Sequence, residues 1–149
     1  MKVNIANSRI ETNEVNLITI DGTILPARGI FYDGHIIICK QNGRKIRCYR
    51  DYGLNFSQLE KILSNISSDM NRKGLENFTL LAGCYLINMD NMQEIHFKSN
   101  MLGIHLVEAE FQDGQIVELY KGCDEEYAIT LIQNYERIEE RYLNQCKAE

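Results

Sequence analysis

Polar and apolar residues alternate from the first positions of the chain. Lys2-Val3-Asn4-Ile5 reads as a strand within 2–6, and four more runs with a period of two follow at 14–20, 23–32, 35–41 and 44–50. Asp21-Gly22, Asp33-Gly34 and Asn42-Gly43 separate those four runs. Each dipeptide favours the positive φ of a tight hairpin turn, so the segment predicts an antiparallel meander. Pro26 has no amide hydrogen and implies an edge position or a bulge early in the second run.

Past Tyr52-Gly53 the period changes to 3.6. Leu59, Ile62, Leu63, Ile66 and Met70 fall on one face of a helix expected over 57–72. Ser57 and Glu60 form a Ser-x-x-Glu capping box, and Arg72-Lys73-Gly74 supplies a cationic last turn with a left-handed stop. Strands are expected again at 77–82, 84–89, 93–98, 102–111 and 115–121. At Asp113-Gly114 a three-residue loop with a left-handed Gly114 keeps one hairpin face apolar by setting Ala109 against Val117 and Val107 against Leu119. The same register places Glu108 opposite Glu118.

A long helix over 124–146 closes the pattern. It opens on Asp124-Glu125-Glu126 at the positive helix end and carries Ala128, Leu131, Tyr135, Ile138 and Tyr142 at spacings of three and four. That stripe suits packing on a sheet, or a short seam against a second copy of the chain. The whole predicts an α+β fold: an antiparallel meander, an inserted capped helix, a second strand group and a long C-terminal helix. No internal repeat or linker interrupts it, so one domain over 1–149 is the economical arrangement.

Composition narrows the class. At 149 residues, 44% hydrophobic and with one Pro, the chain is globular and long enough to build a core without disulfides or metal. No apolar run reaches the length of a signal sequence or a membrane span, so the expected location is cytoplasmic, with no membrane partner. Five cysteines, Cys39, Cys48, Cys84, Cys123 and Cys146, are an odd number without a Cys-x-x-Cys pair and read as free thiols. Charge is polarised: residues 1–75 carry 11 Lys/Arg against 7 Asp/Glu and residues 76–149 carry 5 against 14, giving +4 and −9 within the net −5. Such polarity favours self-association, or an anionic partner at the basic half.

The basic half holds the constellation that stands out. With a two-residue turn at Asn42-Gly43, Lys40 faces Lys45, Cys39 faces Ile46, Ile38 faces Arg47, Ile37 faces Cys48 and Ile36 faces Tyr49. Lys40, Lys45, Arg47 and Tyr49 then share one face, where two opposed ammonium groups, a guanidinium and a phenol ring suit a phosphorylated or otherwise anionic small ligand. The acidic second half argues against a long nucleic-acid footprint. His35, His96 and His105 show no metal or catalytic spacing, Cys84 and His96 point apart in the register expected for 84–89 against 93–98, and no glycine-rich phosphate loop is present. Glu108, Glu110 and Glu118 lack the loop ligands of a calcium site. No catalytic residue, metal or cofactor is therefore assigned. The expected function is a self-associating, non-enzymatic binding protein whose basic hairpin receives an anionic small molecule and whose C-terminal helix meets a second copy. Two alternatives stay open: an immunity or phage counter-defence factor that blocks a protein partner through Glu136, Glu139 and Glu140, and a hydrolase assembled by folding.

Overall fold

The computed structural model describes residues 1–25, 30–49 and 54–148, and the Pro26 expectation falls outside them. The architecture is α+β, with antiparallel sheets, one inserted helix and one long C-terminal helix. Two compact units make up the chain, Met1–Asn88 and Met89–Glu149. The charge polarity of the sequence follows this division: 11 Lys/Arg against 8 Asp/Glu in the first unit and 5 against 13 in the second, or +3 and −8.

In the first unit, β1 (Lys2–Ile5) pairs with β2 (Ser8–Glu11), a strand the polar Asn7-Ser8-Arg9 run conceals. The meander differs from the expected one. β3 (Val15–Leu25) and β4 (Ile30–Lys40) are two long strands, and Asp21-Gly22 and Asp33-Gly34 lie inside them rather than at turns. The pairing shifts by one residue between Asp21↔His35 and Thr23↔Tyr32, so Gly22 stands against Asp33 and Gly34 in a bulge of one continuous ribbon. Glycine within a strand serves a bulge as readily as a turn. β5 (Lys45–Cys48), β6 (Phe78–Leu81) and β7 (Tyr85–Asn88) complete a five-stranded sheet in the order β5-β4-β3-β7-β6.

Helix α1 (Phe56–Arg72) packs on β3, β4 and β6. Its cap is Asn55 rather than Ser57. The Asn55 carboxamide accepts from the Gln58 amide at 2.9 Å, and the Gln58 side chain accepts from the Asn55 amide at 2.8 Å. Both tetrads fit the same reciprocal pattern, and the upstream one adds Phe56 to the first turn. Gly74, at φ 83, ends the helix as expected. Leu59, Leu63 and Met70 bury against Val3, Ile5, Ile10, Ile18, Ile36, Ile38, Phe78 and Leu86. Each fully buried large aliphatic side chain contributes about 1.5–3 kcal/mol of transfer free energy.

Among the five thiols, Cys123 and Cys146 are exposed, while Cys39 and Cys48 are buried. Burial pushes the Cys48 thiol up to about 11, and burial, aided by Glu60, does the same to Cys84. The thiolate is the nucleophile, so at pH 8 only about one such thiol in a thousand is reactive. Iodoacetamide at pH 8 is expected to label Cys123 and Cys146 first. Cys84, although half-exposed, should react only as pH approaches 11, and rapid labelling of it at pH 8 by mass spectrometry contradicts the burial described.

The second unit is a three-stranded sheet in the order β10-β9-β8, formed by β8 (Met92–Ser99), β9 (His105–Phe111) and β10 (Ile116–Gly122), with helix α2 (Glu125–Ala148) packed on β9. Gly114 is left-handed at φ 91, and Val117↔Ala109 and Glu118↔Glu108 pair as expected. A bulge between Glu118 and Tyr120 then sets Tyr120, not Leu119, against Val107. β8 pairs with β9, and β7 with β3 and β6, so the expected pairing of 84–89 with 93–98 does not form. Asp124 caps α2, accepting from the Tyr127 amide at 3.0 Å. Ala128, Leu131, Tyr135 and Ile138 of the seam are buried within the folded chain, and Tyr142 donates to Asp90. The stripe expected to meet a second copy is thus already covered. No described helix is long and apolar enough to cross a membrane.

Candidate functional site

The turn between β4 and β5 decides the fate of the basic constellation. Gln41-Asn42-Gly43 forms a three-residue loop, with Asn42 and Gly43 at φ 65 and 75, and Lys40 donates its amide to the Arg44 carbonyl at 2.7 Å. The extra loop residue moves the register by one from the expected pairs, to Cys39↔Lys45, Ile38↔Ile46, Ile37↔Arg47 and Ile36↔Cys48. In a ladder with period two, one step exchanges the faces. Ile36, Ile38, Ile46 and Cys48 now meet the core beneath α1, and the Cys48 thiol points to the Ile36 carbonyl at 3.6 Å.

The four expected ligand-binding residues are therefore dispersed. Lys45 and Arg47 are exposed on the sheet face away from α1. Lys40 shares the face of Ile36 and Ile38, and its Nζ lies 3.3 Å from Glu14 Oε2, an ion pair that already answers its charge. Lys40 and Lys45 do not oppose each other. Tyr49 follows the last ladder pair with φ 55, a left-handed conformation uncommon for an aromatic residue. That rotation carries its ring off the side of Lys45 and Arg47 and packs it against the core cluster.

Tyr49 instead becomes one wall of a cleft. The opening, of about 370 Å3, lies between α1 and β1. Val3, Ile5 and Met70 form a buried apolar floor, Ile62 and Ile66 of α1 form the helix side, and Asn4, Asn65, Tyr49 and Asp69 bring polar groups to its edge. The two walls come from independent elements. β1 alternates, so Val3 and Ile5 are buried while the exposed Asn4 lies at the rim, and α1 presents 62, 65, 66, 69 and 70 as one stripe.

No family model, curated protein or solved structure matches this chain.

The cleft's chemistry rests on its own residues. Lys73 Nζ stands 2.9 Å from Asp69 Oδ2 and Arg72 stands 3.4 Å from Oδ1. The Lys73 hydrogen bond, with Arg72 behind it, holds the Asp69 carboxyl below the usual carboxylate range. Asp69 is thus an ionised acceptor whose charge is already balanced, while the two asparagine amides both donate and accept. An apolar floor with a few convergent polar groups, in a volume of this size, is the ordinary form of a small-molecule site. Ile62 and Ile66 were legible as part of an apolar helix face, and Tyr49 as an aromatic near a candidate site. Asn4, Asn65 and Asp69 carried no sign of a common site. The available signal was the breadth of the α1 stripe: five large apolar residues are more than one sheet face covers.

Proposed function

We propose that this chain is a non-enzymatic binding protein that holds a small, uncharged ligand with an apolar body in the cleft between α1 and β1. The observation carrying this reading is that one cleft of about 370 Å3 combines a buried apolar floor of Val3, Ile5 and Met70 with the polar edge of Asn4, Asn65 and Asp69. Half-buried Ile62 and Ile66 gain burial when a ring or branched chain enters, which supplies affinity at roughly 25 cal/mol per Å2 of apolar surface covered. An N–H or O–H on the ligand satisfies Asp69, and an amide-like edge matches Asn4 or Asn65. A phosphorylated ligand fits this cleft poorly, because no Lys or Arg is among its described lining residues and the nearby Lys73 and Arg72 already answer Asp69. Lys45 and Arg47 remain the natural contacts for such an anion on the other face.

Thermal unfolding with a set of neutral phenols, indoles and benzamides tests the reading. A fragment present at ten times its Kd is expected to raise the melting temperature by about 3–5 °C. Ile66→Trp fills the cleft with its own indole and should abolish that shift, whereas the double change Lys45→Glu and Arg47→Glu should leave it intact. Equal shifts in wild type and Ile66→Trp overturn the cleft as the site. Loss of the shift in the charge-reversed variant alone returns the ligand to the basic ribbon.

A further inference from the structure

On the face of the second unit's sheet that bears its charged ladder, Glu94 pairs directly with Glu110 and His96 with Glu108. Residues two apart on a strand share a face, so Glu94, His96 and Lys98 stand in a row beside Glu108 and Glu110. Lys98 Nζ answers Glu108 at 3.3 Å. That leaves the opposed carboxylates of Glu94 and Glu110 with one imidazole between them: His96 Nδ1 is 3.2 Å from Glu94 Oε1, and Nε2 is 3.4 Å from Glu110 Oε2.

With its imidazole neutral, this arrangement is electrically incomplete. A neutral imidazole carries one N–H and one bare lone pair. Whichever tautomer forms, one carboxylate oxygen accepts a hydrogen bond and the other faces a lone pair at close range. A cation at that nitrogen turns repulsion into two bonds, and the second carboxylate becomes the third ligand when it turns from the ring N–H to the ion. The donor set suits it, because imidazole with carboxylates is the mixed nitrogen and oxygen ligation of first-row divalent metals.

We propose that Glu94, His96 and Glu110 form a binding site for one first-row divalent cation of the Mn2+, Co2+ or Zn2+ class. One donor atom from each residue already lies within 4.8 Å of the others. Bonds of about 2.1 Å set neighbouring ligands roughly 3.0–3.5 Å apart, so the widest pair closes by up to about 1.3–1.8 Å. Their backbones are held in two paired strands, which limits the entropy lost on closing. His96 and Glu110 are partly covered and Glu94 is open, so the ion has an entry path and keeps positions for water. The site belongs to the second unit alone, and the proposal does not rest on the cleft of the first.

Cobalt chloride titrated into the full chain after chelator treatment is the test, read by calorimetry and by the imidazole proton resonances of His35, His96 and His105. One equivalent is expected to bind, with the largest paramagnetic shift and broadening at His96. Glu110→Gln and His96→Gln should each weaken binding at least about tenfold, in line with the loss of a metal donor. Glu118→Gln, on the neighbouring strand, should change it less than twofold. Glu110→Gln preserves shape, and its melting curve verifies that the unit folds. A larger paramagnetic effect at His105 or His35 than at His96, unchanged affinity in His96→Gln, or a His96 that responds to protons but not to cobalt overturns the proposal.

Discussion

Leu63→Ala is expected to lower the unfolding free energy of the first unit by about 3 kcal/mol, within the range of buried leucine truncations. Leu63 is fully buried on the face of α1 that meets Ile18, Ile36, Ile38 and Leu86. The change removes transfer free energy and leaves a cavity that paired strands on one side and a regular helix on the other are slow to collapse. A fall in melting temperature of roughly 6–12 °C follows for a chain of this size. Ile66→Ala, one turn along but half-buried at the cleft, should cost nearer 1 kcal/mol. The contrast matters because it separates the part of the α1 stripe that holds the fold from the part left to a ligand. Equal losses at the two positions, measured by urea unfolding, would mean that the cleft wall is ordinary core.

The second large effect concerns the opposite wall. Asn88, at the end of β7, is buried, donates to the Val15 carbonyl at 2.9 Å and accepts from the Asn77 amide at 2.8 Å. These bonds tie β7 to the turn at 12–14 that leads from β2 into β3 and so fixes where the β1–β2 hairpin sits. Asn88→Leu keeps the branched shape, at some cost in added volume, and removes both of those bonds. Leaving buried polar groups short of partners costs about 1–3 kcal/mol each, so a loss of about 2–3 kcal/mol is expected. Because the hairpin carries Val3, Asn4 and Ile5, fragment affinity should fall alongside stability. A variant as stable as wild type would show that the carboxamide is dispensable to this corner.

Legibility in the sequence divides by the kind of signal. The two helices were plain, because a 3.6 period sustained over five positions has few competing readings, and Gly74 and Asp124 mark their ends. The hairpin at Gly114 was plain because only one loop length kept its inner face apolar. Asp21-Gly22 and Asp33-Gly34 misled: the turn preference of each dipeptide is real, but the two sit almost opposite each other in one long ribbon, where a shared bulge satisfies both. A single residue of loop length at 41–43 then decided the candidate site, exchanging faces and parting Lys40 and Tyr49 from Lys45 and Arg47. Glu94-x-His96 was readable as two residues on one strand face, yet its meaning depended on Glu110, which only the β8–β9 register brings opposite.

Methyl NMR on the chain with the fragment that gives the largest thermal shift tests the cleft most directly. Intermolecular contacts from the fragment to the methyl groups of Val3, Ile62, Ile66 and Met70, with Ile37 and Ile87 silent, are the predicted result. Contacts that instead cluster around Lys45 and Arg47, or that spread over the surface without favouring α1 and β1, contradict it.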